Sequence, residues 1–194
     1  IKSNENYILN QDNEYSINVE YNKTSTIDIE NERKKGNLEI LKVDKENNNI
    51  TLGNVGFELY NDENGSLVGT YYTDANGKIE IKNLRIGNYK LKEISTNEWY
   101  NLAENQNLQI KWNETTKTQV EDELKKGQIK VIKVDKENNE IKIPNVVFEV
   151  QDSCGNLLEK IKTDKNGEAI TSKYPLRDYP NLRLHEVETD EKYA

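Results

Sequence analysis

The chain has 194 residues, 34% hydrophobic and 32% charged, with a net charge of −8 and a pI near 4.9. That acidic balance argues against a nucleic-acid reader, whose surface needs a surplus of Lys and Arg on one face. A single cysteine, Cys154, excludes a disulfide within the chain, and no apolar run reaches the length of a membrane span or a signal-peptide core.

The composition is polar, yet the apolar residues fall in alternating runs rather than being diluted evenly, which argues for folded domains. The opening at Ile1 is expected to lie inside a longer polypeptide. In residues 1–35, Tyr15-Ser-Ile17-Asn-Val19-Glu-Tyr21 and Thr26-Ile27-Asp-Ile29-Glu read as strands of period two around the turn Asn22-Lys23-Thr24. The same pattern, Leu108-Gln-Ile110-Lys-Trp112 and then Thr118-Gln-Val120, closes the next stretch of chain. Residues 1–35 are therefore expected to be the closing strands of a preceding domain.

Lys34–Asn48, Lys-Lys-Gly-Asn-Leu-Glu-Ile-Leu-Lys-Val-Asp-Lys-Glu-Asn-Asn, returns almost letter for letter at Lys125–Asn139. The period is about ninety residues, the size of a small domain rather than of a solenoid unit. Residues 36–126 read as one complete unit and 127–194 as the N-terminal part of another. Within the first, strands are expected at Asn37–Asp44, Phe57–Tyr60, Leu67–Tyr72, Lys78–Ile81, Asn88–Ile94, Leu108–Trp112 and Lys117–Leu124. Asn64-Gly65 and Asn76-Gly77 sit between them, the short-range signature of hairpins. Short strands with regular turns and no helical period predict an all-β sandwich. The short junctions predict stiff end-to-end domains.

Side-chain parity singles out the chemistry. Leu38, Ile40 and Lys42 share a strand face, as do Tyr89, Leu91 and Glu93, and Val120, Asp122 and Leu124. Three strands thus each carry one ionisable group onto an inward stripe, and an unpaired buried charge is costly. Burial disfavours charge, so Lys42 is expected as a neutral amine beside a protonated Glu93. A neutral amine is a nucleophile. Glu93 would polarise the Asp122 carbonyl and move protons while Lys42 attacks, leaving an amide and a water. The plain alternative is a noncovalent ion pair, or a lysine that snorkels to solvent.

The order Gly36…Lys42-Val43-Asp44, Phe57-Glu58-Leu59-Tyr60, Thr73-Asp74…Gly77, Asn83-Leu84…Gly87-Asn88-Tyr89-Lys90-Leu91-Lys92-Glu93 resembles the B-type domain of collagen-binding adhesins (Cna-B, SpaA-like), the stalk repeats of Gram-positive surface adhesins and pilins. Val147-Phe148-Glu-Val150, Thr163-Asp164…Gly167 and Leu182-Arg-Leu184-His-Glu186 give the pattern again. The resemblance implies tandem transthyretin-like, reverse-immunoglobulin β-sandwiches with a spontaneous Lys–Asn or Lys–Asp isopeptide bond assisted by a Glu. It implies Lys42 as amine, Glu93 as assisting acid and Asp122 as acceptor, although Asn is the commoner acceptor. Asn31 is the matching acceptor of the preceding unit, and Lys133 and Glu186 the amine and assisting acid of the following one. No cofactor or metal follows from it, and no enzyme beyond a single self-crosslinking turnover.

The expected role is a structural stalk segment of a protein anchored to a Gram-positive cell wall, outside the cell, with neighbouring repeats as its partners and no membrane contact of its own. The rival is an adhesin module that recognises a host matrix protein or glycan. A further expectation is head-to-tail self-association, with residues 1–35 of one molecule completing 127–194 of the next and Asn31 meeting Lys133. Asp74-Ala-Asn76-Gly77 and Asp164-Lys-Asn166-Gly167 begin like calcium loops, but read better as hairpin turns. His185 and Cys154 read as surface residues with no activating neighbour.

Overall fold

A computed structural model describes residues 4–10 and 14–189. The outer limits of the sequence expectations at Ile1 and Ala194 lie outside these residues. Among the described residues there is no helix, and hence none long and apolar enough to cross a membrane. The chain forms two compact units, one of Ile1–Asn97 with Leu102–Glu123 and one of Glu98–Asn101 with Leu124–Ala194.

The first unit holds seven strands: β1 (Lys35–Asp44), β2 (Gly56–Asn61), β3 (Leu67–Tyr72), β4 (Lys78–Arg85), β5 (Gly87–Ser95), β6 (Gln106–Ile110) and β7 (Thr115–Asp122). They make a three-stranded sheet in the order β4-β1-β7 and a four-stranded sheet in the order β3-β2-β5-β6. Alternation places Leu38, Ile40, Ile79, Ile81 and Val120 of the first sheet and Phe57, Leu59, Tyr89, Leu91 and Ile110 of the second in the buried core. Each such side chain contributes about 1.5–3 kcal/mol on leaving water.

Hairpin turns set most of the register. Gly77 takes φ 72°, and its carbonyl accepts from the Lys42 amide at 2.8 Å. A Cβ there would stand 2.6 Å from the Lys42 carbonyl oxygen, so the turn needs glycine on two counts. Asp74 Oδ1 is engaged by the amides of Asn76 and Lys78, both at 2.8 Å, as an Asx turn requires.

One pairing is not a hairpin. β1 runs parallel to β7 from Asn37 to Asp44, with Lys42 level with Val120 and Asp44 level with Asp122. Parallel neighbours need a crossover, and here it is the rest of the unit.

The second unit repeats the plan in β8 (Lys126–Gly127), β9 (Lys130–Ile132), β10 (Val147–Gln151), β11 (Leu157–Lys162), β12 (Glu168–Ile170), β13 (Tyr174–Pro175) and β14 (Arg183–Glu188). The β9–β12 pair stands for β1–β4, and the order β11-β10-β14 for β3-β2-β5. Its core is Ile143, Val146, Phe148, Val150, Ile161 and Ala169. Thr163 bonds Ile143 and Val146 as Thr73 bonds Leu52 and Val55. Among the described residues β9 pairs with β12 alone.

Residues 14–34 depart from the two strands that their alternation predicts. The turn is there, with Asn22 at φ 56° and the Lys23 amide bonded to the Glu20 carbonyl, but no ladder flanks it. A bridge between Tyr7 and Arg33 is the pairing found in this region. Val19 is 82% and Tyr21 92% exposed. Alternation specifies which residues share a face; it does not supply the neighbouring strands that make a strand a ladder.

Candidate functional site

Lys42 is among the large side chains that are fully buried in the described residues, with 0% of its surface accessible. It reaches the core because β1 keeps strict alternation from Leu38 through Ile40, so the third inward position is the lysine. Its Nζ has two acceptors. Glu93 Oε2 is 3.1 Å away, and Asp122 Oδ1 is in close contact. Asp122 is wholly buried and Glu93 almost so.

Each carboxyl is held by a second donor. The Thr96 hydroxyl donates to Asp122 Oδ2 at 2.5 Å, and the Ala103 amide donates to Glu93 Oε2 at 3.1 Å. Glu93 Oε1 is buried and accepts no hydrogen bond. An ionised carboxylate would be poorly stabilised at that oxygen, and a neutral acid suits it better. Burial pushes the Glu93 carboxyl up to about 7; Lys42 opposes the rise and the Asp122 carboxylate adds to it.

The arrangement combines a primary amine and two carboxyl groups with little access to water. One acid is displaced toward its neutral form, and the other carboxyl touches the amine. Such a set can exchange protons and can condense the amine with the touching carboxyl. It joins the first and last strands of the unit, across a sequence separation of 80.

Lys42, Glu93 and Asp122 are therefore brought together as parity predicts. Lys133 and Glu186 also meet, at 2.8 Å, but their side chains remain 27% and 34% exposed. Asn31 lies on exposed backbone. Cys154 and His185 are exposed. Sequence parity missed Thr96 and the Ala103 amide, because both lie outside strands where alternation has no meaning. A signal for Thr96 was present: Glu93-Ile-Ser-Thr96 and Glu186-Val-Glu-Thr189 place a threonine three residues after the acid in both units.

A family model described as the SpaA prealbumin-like fold domain matches residues 36–124 and again residues 127–194. No curated protein matches the chain. Among solved structures, the Bacillus anthracis TIE protein is 30% identical, with a TM-score of 0.61, and the match covers 97% of this chain and 35% of that one. This chain therefore spans about a third of that protein's length. GBS52, the minor pilin of Streptococcus agalactiae, is 25% identical, covering 49% of this chain and 48% of its own, with a TM-score of 0.42. The shaft pilin SpaA of Lactobacillus rhamnosus GG is 13% identical over 81% of this chain and 89% of its own, with a TM-score of 0.41.

Proposed function

Because the chain belongs to the family of SpaA-type, prealbumin-like fold domains and carries two of them in succession, we propose that it is a structural stalk segment of an adhesin or pilus on a Gram-positive cell surface, fastened by an isopeptide bond between Lys42 and Asp122. The observation that carries this reading is the contact between a fully buried amine and a fully buried carboxyl, with a buried acid beside them. A noncovalent pair in this position would pay heavily for its desolvation. Condensation removes both charges.

The reaction balances within the site. Proton transfer from Nζ to Glu93 frees the amine's lone pair and leaves Glu93 as the acid, and the amine then attacks Asp122 Cγ, forming the C–N bond. Glu93 takes a further proton from Nζ and delivers it, together with its own, to Asp122 Oδ1. The Cγ–Oδ1 bond breaks, water leaves, and Glu93 is left ionised until it regains a proton from solvent. Each unit performs this once, so the chemistry is assembly and not turnover. In the second unit, Lys133 and Glu186 take the roles of amine and assisting acid, toward an acceptor on a strand beside β9. The partners of such a segment are neighbouring repeats and other subunits of the same surface structure, and its place is outside the cell, tied to the wall.

Intact mass tests the bond. The wild-type chain is expected to be one water lighter than its encoded mass, and Lys42→Ala, Glu93→Ala and Asp122→Ala to show no deficit. A wild type at its full encoded mass overturns the proposal. A second reading, a module that binds a host matrix protein or glycan, draws on the exposed apolar residues Tyr15, Ile17, Val19, Tyr21, Ile27 and Ile29. Saturable binding of the isolated chain to a matrix-protein or glycan panel, lost on Val19→Asp and Tyr21→Asp, would favour it.

A further inference from the structure

Two observations concern a residue that neither the strand pattern nor the amine–acid pair accounts for. In the first unit, the Thr96 hydroxyl donates to Asp122 Oδ2, the oxygen turned away from Lys42. In the second, Thr189 stands at the corresponding position, three residues after Glu186. Its hydroxyl oxygen is buried and has no hydrogen-bond partner among the described residues, although Lys133 and Glu186 are already paired. A buried hydroxyl without a partner is costly, commonly by more than the net gain of an ordinary hydrogen bond. In the first unit the threonine is satisfied by the acceptor carboxyl, and in the second it has no partner among the described residues.

We propose that Thr96 is the oxyanion donor for amide formation at Asp122, and that Thr189 is built for the same task in the second unit. The proposal rests on the Lys42–Asp122 bond argued above. As Nζ closes on Cγ, the carbonyl π electrons move onto one carboxyl oxygen. The two oxygens are not equivalent here. Oδ1 faces Lys42 and the acid Glu93 beside it, so it receives the protons and departs as water. Oδ2 faces Thr96, so it carries the negative charge of the tetrahedral intermediate and becomes the amide oxygen. A donor already aimed at that oxygen needs no reorganisation as charge develops. The same hydrogen bond fixes the carboxyl plane, presenting Cγ to the amine. Thr96 lies just after β5 (Gly87–Ser95), the strand that carries Glu93, so proton donor and oxyanion donor move as one piece.

The test follows the water loss in time. The full chain is made by cell-free synthesis, quenched at intervals and read by intact mass, as wild type, Thr96→Val, Thr96→Ser and Thr96→Ala. Thr96→Val keeps the shape and loses the donor, and is expected to form the amide roughly a hundredfold more slowly. Thr96→Ser restores the hydroxyl and should return the rate to within a few-fold of wild type, which mere packing by the threonine methyl would not do. Should Thr96→Val fail to fold, Thr96→Ser against Thr96→Ala makes the same comparison at smaller volume. Equal rates with and without the hydroxyl overturn the proposal. A wild type that never loses water is a different result: it overturns the bond itself.

Discussion

Lys42 and Asp122 stand on parallel neighbours, out of step by one inward position: Lys42 is level with Val120, and Asp122 lies two residues further along β7. Nζ therefore crosses diagonally to reach Oδ1, and the long lysine stem supplies the reach. A shorter amine at this position would fall short of the carboxyl. The diagonal also places the junction at the C-terminal ends of both strands.

Removing Lys42 or Asp122 should weaken the first unit twice over. The loop that the proposed bond would close is worth about 4–5 kcal/mol by the chain-entropy estimate used for crosslinks. Taking away one partner also leaves a buried charge without its mate, which typically costs about 3–5 kcal/mol. Lys42→Ala is thus expected to lower the thermal midpoint by tens of degrees. Calorimetry of both proteins checks it, and a shift of only a few degrees would remove the bond from consideration.

Asp122→Asn should keep the crosslink. The carboxamide has the same shape and presents the same carbon to Lys42, with ammonia leaving instead of water. Its mass deficit is then one ammonia. A full-length Asp122→Asn chain with no deficit would mean that the site needs a carboxyl oxygen as its leaving group.

Glu93 gives stability a distinct pH dependence. Its folded pKa is raised above the unfolded value to about 7, with burial as the largest cause. The folded state therefore holds the proton more tightly, so its contribution is full below the unfolded carboxyl range and is lost as pH rises through about 7. Denaturant midpoints taken from about pH 5 to about pH 8 should fall for wild type, relative to Glu93→Gln. The slope is the readout, since the two proteins also differ in crosslinking. Parallel curves would show that Glu93 titrates as an ordinary exposed acid.

Gly77→Ala should destabilise more than Gly65→Ala. Both glycines have positive φ, at 72° and 67°, a conformation that costs an L residue about 1–2 kcal/mol. At Gly65 an added Cβ meets nothing within 4 Å, whereas at Gly77 it meets the Lys42 carbonyl at 2.6 Å. Gly77→Ala is therefore expected to exceed that range and to slow amide formation by displacing the β1 backbone at Lys42. Urea melts and the mass time course check the two effects separately.

The two lysines should differ in reactivity. Lys133 keeps 27% of its side chain exposed, whereas Lys42 has none. An amine-acylating reagent followed by peptide mapping should label Lys133 and leave Lys42 untouched. The same material should run as a monomer under denaturing conditions, with a deficit of one water rather than two. A ladder would instead join Asn31 of one chain to Lys133 of the next.

The sheet faces were readable because period-two alternation is a local property. Leu38, Ile40, Tyr89, Leu91 and Val120 could be placed inward from their spacing, and the same counting carried Lys42, Glu93 and Asp122 with them. The hairpin turns were readable from the Asn64-Gly65 and Asn76-Gly77 pairs, whose glycines take the positive φ the turns require. The parallel union of β1 and β7 was not, because no turn chemistry connects strands so far apart in sequence. Residues 15–30 show the opposite limit. Their alternation is as clean as that of β7, yet Val19 and Tyr21 stand in solvent, because a strand is completed by neighbours that its own letters do not contain. Thr96 escaped for a third reason: it lies past the end of a strand, and only comparison of the two copies marks it.

In the proposed stalk, tension would enter this unit at Lys35 and leave beyond Asp122. With side-by-side strands pointing the same way, the pull shears the β1–β7 ladder instead of unzipping it. With the amide in place it crosses from Lys42 to Asp122 and bypasses everything from Val43 to Glu121 in the chain. That bypassed stretch, with its loops and its whole four-stranded sheet, is shielded from stretching. A substitution within it that spares amide formation would leave the proposed covalent path from Lys42 to Asp122 unchanged.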